Sequence, residues 1–158
     1  MDNIKKINGV IESFGRGSSM GNVNAKLNLV IKDDSGKLHT FKQAGALGIV
    51  GNYIDVGVAG TFHIISVGGS ISLIIAIDRS DGTKISDIDA FKEEFKKCKD
   101  IKNGSNFLMF LGVITIPLLL IGFIFIMKAV AIKNVVKSFL VLSPEEVGKY
   151  LNEEGFID

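Results

Sequence analysis

The sequence predicts a mainly β N-terminal domain, a small closed five-stranded barrel, followed by an α-helical remainder. That remainder is an amphipathic linker helix, one transmembrane helix and short C-terminal helices. Three observations carry this prediction. Between Ile4 and Asp78, short runs of β-favouring residues alternate with turn chemistry, and no apolar stripe recurs at helical spacing. From Phe107 to Met127, FLMFLGVITIPLLLIGFIFIM, 21 residues pass without a charged side chain, between Lys102 and Lys128. Beyond this stretch, apolar and polar residues again separate at helical spacing. The predicted divisions are residues 1–84, the barrel; 85–104, an amphipathic juxtamembrane helix and linker; 105–128, the span; and 129–158, an amphipathic tail ending in a capped helix.

A chain of 158 residues holds one modest domain plus an anchor. Its net charge of +1 supplies no general attraction for an acidic polymer. The single cysteine, Cys98, excludes an internal disulfide and a multi-cysteine metal site. His39 and His63, the only histidines, make a zinc site only if carboxylates complete it. The N-terminal MDNIKKINGVIESFGRG contains no apolar run of signal-peptide length, so the first ~100 residues have no evident means of export by themselves.

The first strand is predicted from Ile4 to Phe14, with Val10 and Phe14 on one face and Gly9 at a bulge. GRGSSMGN, residues 15–22, reads as a flexible loop. Ala25, Leu27, Leu29 and Ile31 alternate with Lys26, Asn28, Val30 and Lys32, the period of a strand with one buried face. Asp33-Asp34-Ser35-Gly36 supplies a turn, and the return strand is Lys37 to Gln43, with Leu38 and Thr40 opposite His39 and Phe41. The four glycines in residues 44–57 make that segment a loop or short helical turn. Strands resume at Thr61–Val67 and Ile71–Ile77, joined by Gly68-Gly69-Ser70, and the second of them is apolar enough to be covered on both sides.

Three strands, an irregular connection and a hairpin hide their apolar faces by curling into a barrel, which also removes exposed edges. In this order residues 4–78 resemble an OB-like small barrel, at the level of pattern and without a family motif. A small open β-sandwich is the alternative arrangement.

After the turn Arg79-Ser80-Asp81-Gly82, Ser86 is the expected cap of a helix whose apolar face is Ile88, Phe91, Phe95 and Cys98. The helix is expected to stop near Asn103-Gly104. The stretch Phe107–Met127 has the length of one bilayer crossing, with Thr115 its one polar side chain and Pro117 a source of bending near Val113. Past Lys128, Ile132, Val135, Val136, Phe139 and Leu140 form a stripe too short for a second comfortable crossing, which suits an interfacial helix. In SPEEVGKYLNEEGF, Ser143 is the expected N-cap, Pro144 the first helical residue and Glu146 the capping-box acid, with Leu142 and Val147 as a hydrophobic staple. Gly155 is the expected left-handed C′ residue, with Phe156 folding back on Leu151.

Five lysines precede the span (Lys92, Lys96, Lys97, Lys99, Lys102) and three follow it (Lys128, Lys133, Lys137). This places the barrel in the cytoplasm and the tail outside, in an integral protein of a bacterial cytoplasmic membrane. Re-entry of residues 129–142 would instead put both ends on one side.

No stretch carries recognisable catalytic chemistry. GRGSSMG has the wrong spacing for a dinucleotide loop and precedes a strand, so no helix N-terminus would face a phosphate. AGALGIVGN reads as loop packing. DRSDGTKISDID places Gly82 one position too early for a calcium loop, and a turn with a helix cap accounts for it. His39 and His63 lie within predicted strands and read as strand-face residues, and Cys98 reads as an apolar contact more readily than as an acylation site. Residues 1–88 hold nine basic and eight acidic side chains, and Phe14, Phe41, Tyr53 and Phe62 do not interleave with the basic ones, which argues against a nucleic-acid platform. The expectation is a non-enzymatic binding or assembly module, with no cofactor, no metal and no small-molecule substrate. Its partners would be the bilayer and a protein or second copy, met through Phe91, Phe95, Ile132 and Phe139. A membrane-tethered single-strand nucleic-acid binder and an accessory subunit of a transport complex are the alternatives.

Overall fold

The computed structural model describes the chain except residues 1–3, 21–22, 68–70, 115–126, 131–132, 134–135, 138, 141 and 157–158, and except the side chains of residues 19–20 and 105–114. Its elements are β1 (Ile4–Ser13), β2 (Gly17–Met20), β3 (Val23–Asp33), β4 (Leu38–Leu47), a 3-10 helix (Gly48–Tyr53), β5 (Ala59–Ser66), β6 (Ile71–Arg79), β7 (Lys84–Ser86), α1 (Ile88–Ile114) and α2 (Pro144–Glu153).

Five strands close on themselves in the order β1-β5-β6-β4-β3 and back to β1. Every pairing in this ring is antiparallel except β4 with β6, which is parallel. A closed ring leaves no strand edge of its own unpaired. The arrangement is consistent with an OB-like barrel. Side chains such as Ile7, Ile11, Leu29, Ile31, Phe62 and Ile77 fill the interior, each contributing about 1.5–3 kcal/mol through loss of water contact.

Residues 15–20 of the segment expected to be a flexible loop are instead paired, and residues 21–22 lie outside the described residues. The Gly15 N–H donates to Leu27 O at 2.6 Å and the Leu27 N–H to Arg16 O at 3.1 Å, after which β2 runs antiparallel to Val23–Lys26. The chain thus follows the edge of β3 from Gly9 to Met20. Glycine marks close approach here: a Cβ on Gly17 would sit 2.9 Å from Ala25 O.

Two strand faces differ from the alternation. A bulge between Ile11 and Ser13 shifts β1 by one residue, so Phe14 packs against the interior with Ile11 while Val10 is exposed. In β3, Leu29 and Ile31 are buried, but Leu27 is 45 % exposed beside Asn28, whose φ of 50° departs from extended backbone. β4 continues past Gln43 to Leu47, so only the last part of the predicted loop is irregular, and it forms a 3-10 helix. A short seventh strand, β7, pairs with β6 where turn and cap chemistry alone were expected. As expected, β6 is covered on both sides: its residues Leu73 to Ile77 are all buried.

Packing divides the chain into two units, Met1–Lys92 with Pro144–Asp158, and Glu93–Ser143. The first therefore contains both the barrel and α2. The helix α1 does not stop at Asn103-Gly104; it runs unbroken to Ile114, since one glycine costs only about 1 kcal/mol within a long helix. Among the described residues no helix is long and apolar enough to cross a membrane. Most of the predicted span, Pro117 included, lies outside the described residues, as does Ile132.

Candidate interaction surface of the barrel unit

The C-terminal helix is seated by both of its ends. At the far end, the Phe156 N–H donates to Leu151 O at 2.8 Å and the Gly155 N–H to Asn152 O at 3.0 Å, with Gly155 at φ 71°. This is the Schellman ending expected from Gly155 and Phe156. It folds the Phe156 ring back so that it meets His63 edge-on, with centroids 4.9 Å apart. Tyr150, on α2 itself, brings its Oη to 2.6 Å from His63 Nδ1. At the helix start Pro144 is the first residue, as expected, and Leu142 and Val147, the expected staple pair, are both buried.

His63 sits on β5 and is 2 % exposed. Burial, with the Lys6 ammonium nearby, pushes its pKa down to about 4, so the imidazole is neutral at pH 7. Burial, reinforced by the Glu154 carboxylate, lifts the Tyr150 hydroxyl to about 12. Around His63 lie two lysines, Lys6 and Lys84, and two acids, Glu154 and Asp78. Lys6 Nζ donates to Glu154 Oε1 at 2.6 Å, and Lys84 Nζ donates to the Glu154 backbone oxygen, where a cation complements the negative end of α2. The hydrogen bond from Lys6 holds the Glu154 carboxyl below the usual range. His63 is thus the strand-face residue its position implied, held by partners that the strand pattern gave no sign of.

A second feature is the connection from β4 to β5. Asp87, not Ser86, caps α1: its Oδ1 accepts from the Ala90 N–H at 2.9 Å and its Oδ2 from the Ile49 N–H at 3.1 Å. One carboxylate therefore closes the helix and pins the 3-10 helix. Gly48 makes room for it: its φ is 50°, and an added Cβ would overlap Asp87 Oδ2. At the other end the Gly57 N–H donates to Ile11 O at 2.9 Å. Between these fixed points Ile49 (52 %), Tyr53 (39 %) and Val56 (57 %) are exposed, and the Arg79 guanidinium lies 5.9 Å from the Tyr53 ring centroid.

The β3–β4 turn gathers serine, histidine and aspartate without making a nucleophile. Ser35 Oγ donates to Asp33 Oδ1, whereas His39 Nε2 lies 2.8 Å from Asp33 Oδ2. Both groups use the same carboxylate, so the imidazole is turned to Asp33 and not to the serine hydroxyl. The Ser35 hydroxyl, then His39, hold the Asp33 carboxyl well below the usual range. At the start of β3, Lys26 Nζ stands 4.3 Å over the Phe14 ring, beside an open cleft of about 260 Å³ lined by Gly17, Ser18, Asn24, Ala25 and Lys26. Among the described residues no three His, Cys, Asp or Glu side chains could hold a metal ion.

Of the four residues expected to meet a partner, Phe91 is buried, Phe95 and Phe139 are half-buried, and Ile132 lies outside the described residues. Ile49 and Val56 were not singled out, and Tyr53 was weighed only as part of a nucleic-acid platform; three apolar residues in a Gly-punctuated connection were the available signal. No protein-family model, curated protein or solved structure matches the chain.

Proposed function

We propose that the protein is a membrane-anchored, non-catalytic binding or assembly module whose OB-like barrel holds a protein partner, or a second copy of itself, at the bilayer surface. The observation that carries this reading is the exposure of Ile49, Tyr53 and Val56 on a connection pinned at both ends by Asp87 and Ile11. Apolar and aromatic groups on a rigid backbone lose little conformational freedom when a partner covers them. The anchor is the charge-free stretch Phe107–Met127, 21 almost wholly apolar residues that suit a hydrocarbon layer. A photo-crosslinking residue at Val56 of the full chain in native membranes is expected to give a discrete adduct that Tyr53→Ala weakens. Recovery of monomer alone would count decisively against the module. An adduct only with a multi-span transporter would make the chain an accessory subunit.

A second reading, single-stranded nucleic acid on the same barrel, is favoured by Lys26 over Phe14 beside the open cleft. It requires salt-sensitive binding of an oligonucleotide by the detergent-solubilised chain, lost in Lys26→Glu. No binding at low salt would end it.

A further inference from the structure

We infer that the barrel and the C-terminal helix α2 lie on the same, cytoplasmic face of the bilayer, so that the chain between them does not carry α2 to the opposite side. The inference rests on the membrane anchor proposed above and replaces the single crossing expected from hydropathy. Its ground is that α2 belongs to the barrel's own unit. Tyr150 is hydrogen-bonded to His63 on β5, Phe156 packs on the same imidazole, and Glu154 is paired with Lys6 on β1. Val147, Tyr150 and Leu151 are buried. A helix across a hydrocarbon layer about 30 Å thick could make none of these contacts.

The number of crossings between Lys92 and Pro144 is therefore even. Two complete helical crossings need about 40 apolar residues. The charge-free stretch supplies 21, and beyond it the chain is interrupted by Lys128, Lys133 and Lys137. The stretch is therefore too short for two crossings.

Sidedness comes from the lysines. In a single crossing the five before the stretch oppose the three after it, whereas on one face all eight act together. Residues 128–142 carry three lysines and no acid, which suits an anionic leaflet.

The test uses the full chain with Cys98→Ser and one new exposed cysteine, Lys37→Cys on the barrel or Asn152→Cys on α2. Each is treated with a membrane-impermeant maleimide in intact cells and in inside-out vesicles. Both positions are expected to react in the vesicles and to be protected in cells. Reaction of one in cells and the other in vesicles would overturn the shared face, and reaction of both only in cells would overturn the cytoplasmic side. Extraction of the protein from membranes by alkaline carbonate is a separate readout: it would overturn the anchor itself, whatever the labelling pattern.

Discussion

His63 shows how one side chain ties distant parts of the chain together. Its pKa of about 4 in the folded protein lies below the 6.5 of an unfolded histidine. Between those values the unfolded chain binds the extra proton, so stability is full above pH 6.5 and falls as the pH drops toward 4. The loss attributable to this group is at most about 3.5 kcal/mol, since each pH unit separating the two values is worth about 1.4 kcal/mol. Denaturant unfolding at pH 7 and pH 4.5 measures it, and His63→Gln is expected to flatten the difference; an unchanged pH slope would refute the assignment. Gly48 and Gly36 make a second contrast at this scale. Both have positive φ, but only at Gly48 would a Cβ meet another group, the Asp87 carboxylate. Gly48→Ala should therefore cost about 1–3 kcal/mol or more, and Gly36→Ala only about 1 kcal/mol. Equal melting shifts for the two would show that the Asp87 contact has no weight.

At the scale of elements, the ends of α2 were legible because caps are local. Pro144 at the first position and Gly155 with Phe156 at the last are signals contained within a few residues, and the expected C-terminal hydrogen bonds form. What α2 packs on was not legible, because Tyr150 and His63 are 87 positions apart. Cysteines at Lys6 and Glu154, whose side chains meet at 2.6 Å, are expected to join through a short bis-thiol reagent in the membrane-bound chain, and failure to join would show that α2 leaves the barrel there. The ion pair itself adds less than about 1 kcal/mol, since both side chains are partly exposed. Asp87→Ala should cost about 1–2 kcal/mol for the lost cap. It should also raise hydrogen exchange at Ile49, a change that loss of the cap alone would not produce. The segment after the first strand escapes a sequence reading for a reason of the same kind: residues 15–20 have loop composition, but β3 supplies the hydrogen-bond partners that make them an edge.

For the whole molecule, the barrel was readable in outline from five short β runs, two turn signals and an irregular connection. Its closure and the parallel β4–β6 pairing were not, because register between distant strands is decided by which faces can be buried together. The candidate binding surface was less legible. Phe91 belongs to a helical stripe whether that stripe faces a partner or the protein's own interior, and here it is buried. Ile49, Tyr53 and Val56 became a surface only when Asp87 and Ile11 fixed the backbone around them. By itself the sequence determined the turns, the ends of α2 and the charge-free stretch Phe107–Met127, since each depends on neighbours within a few residues. Only the tertiary structure decided that the two ends of the chain form one unit. That outcome depends on side chains separated by most of the sequence, and the burial of His63 under Tyr150 and Phe156 is the contact that joins them.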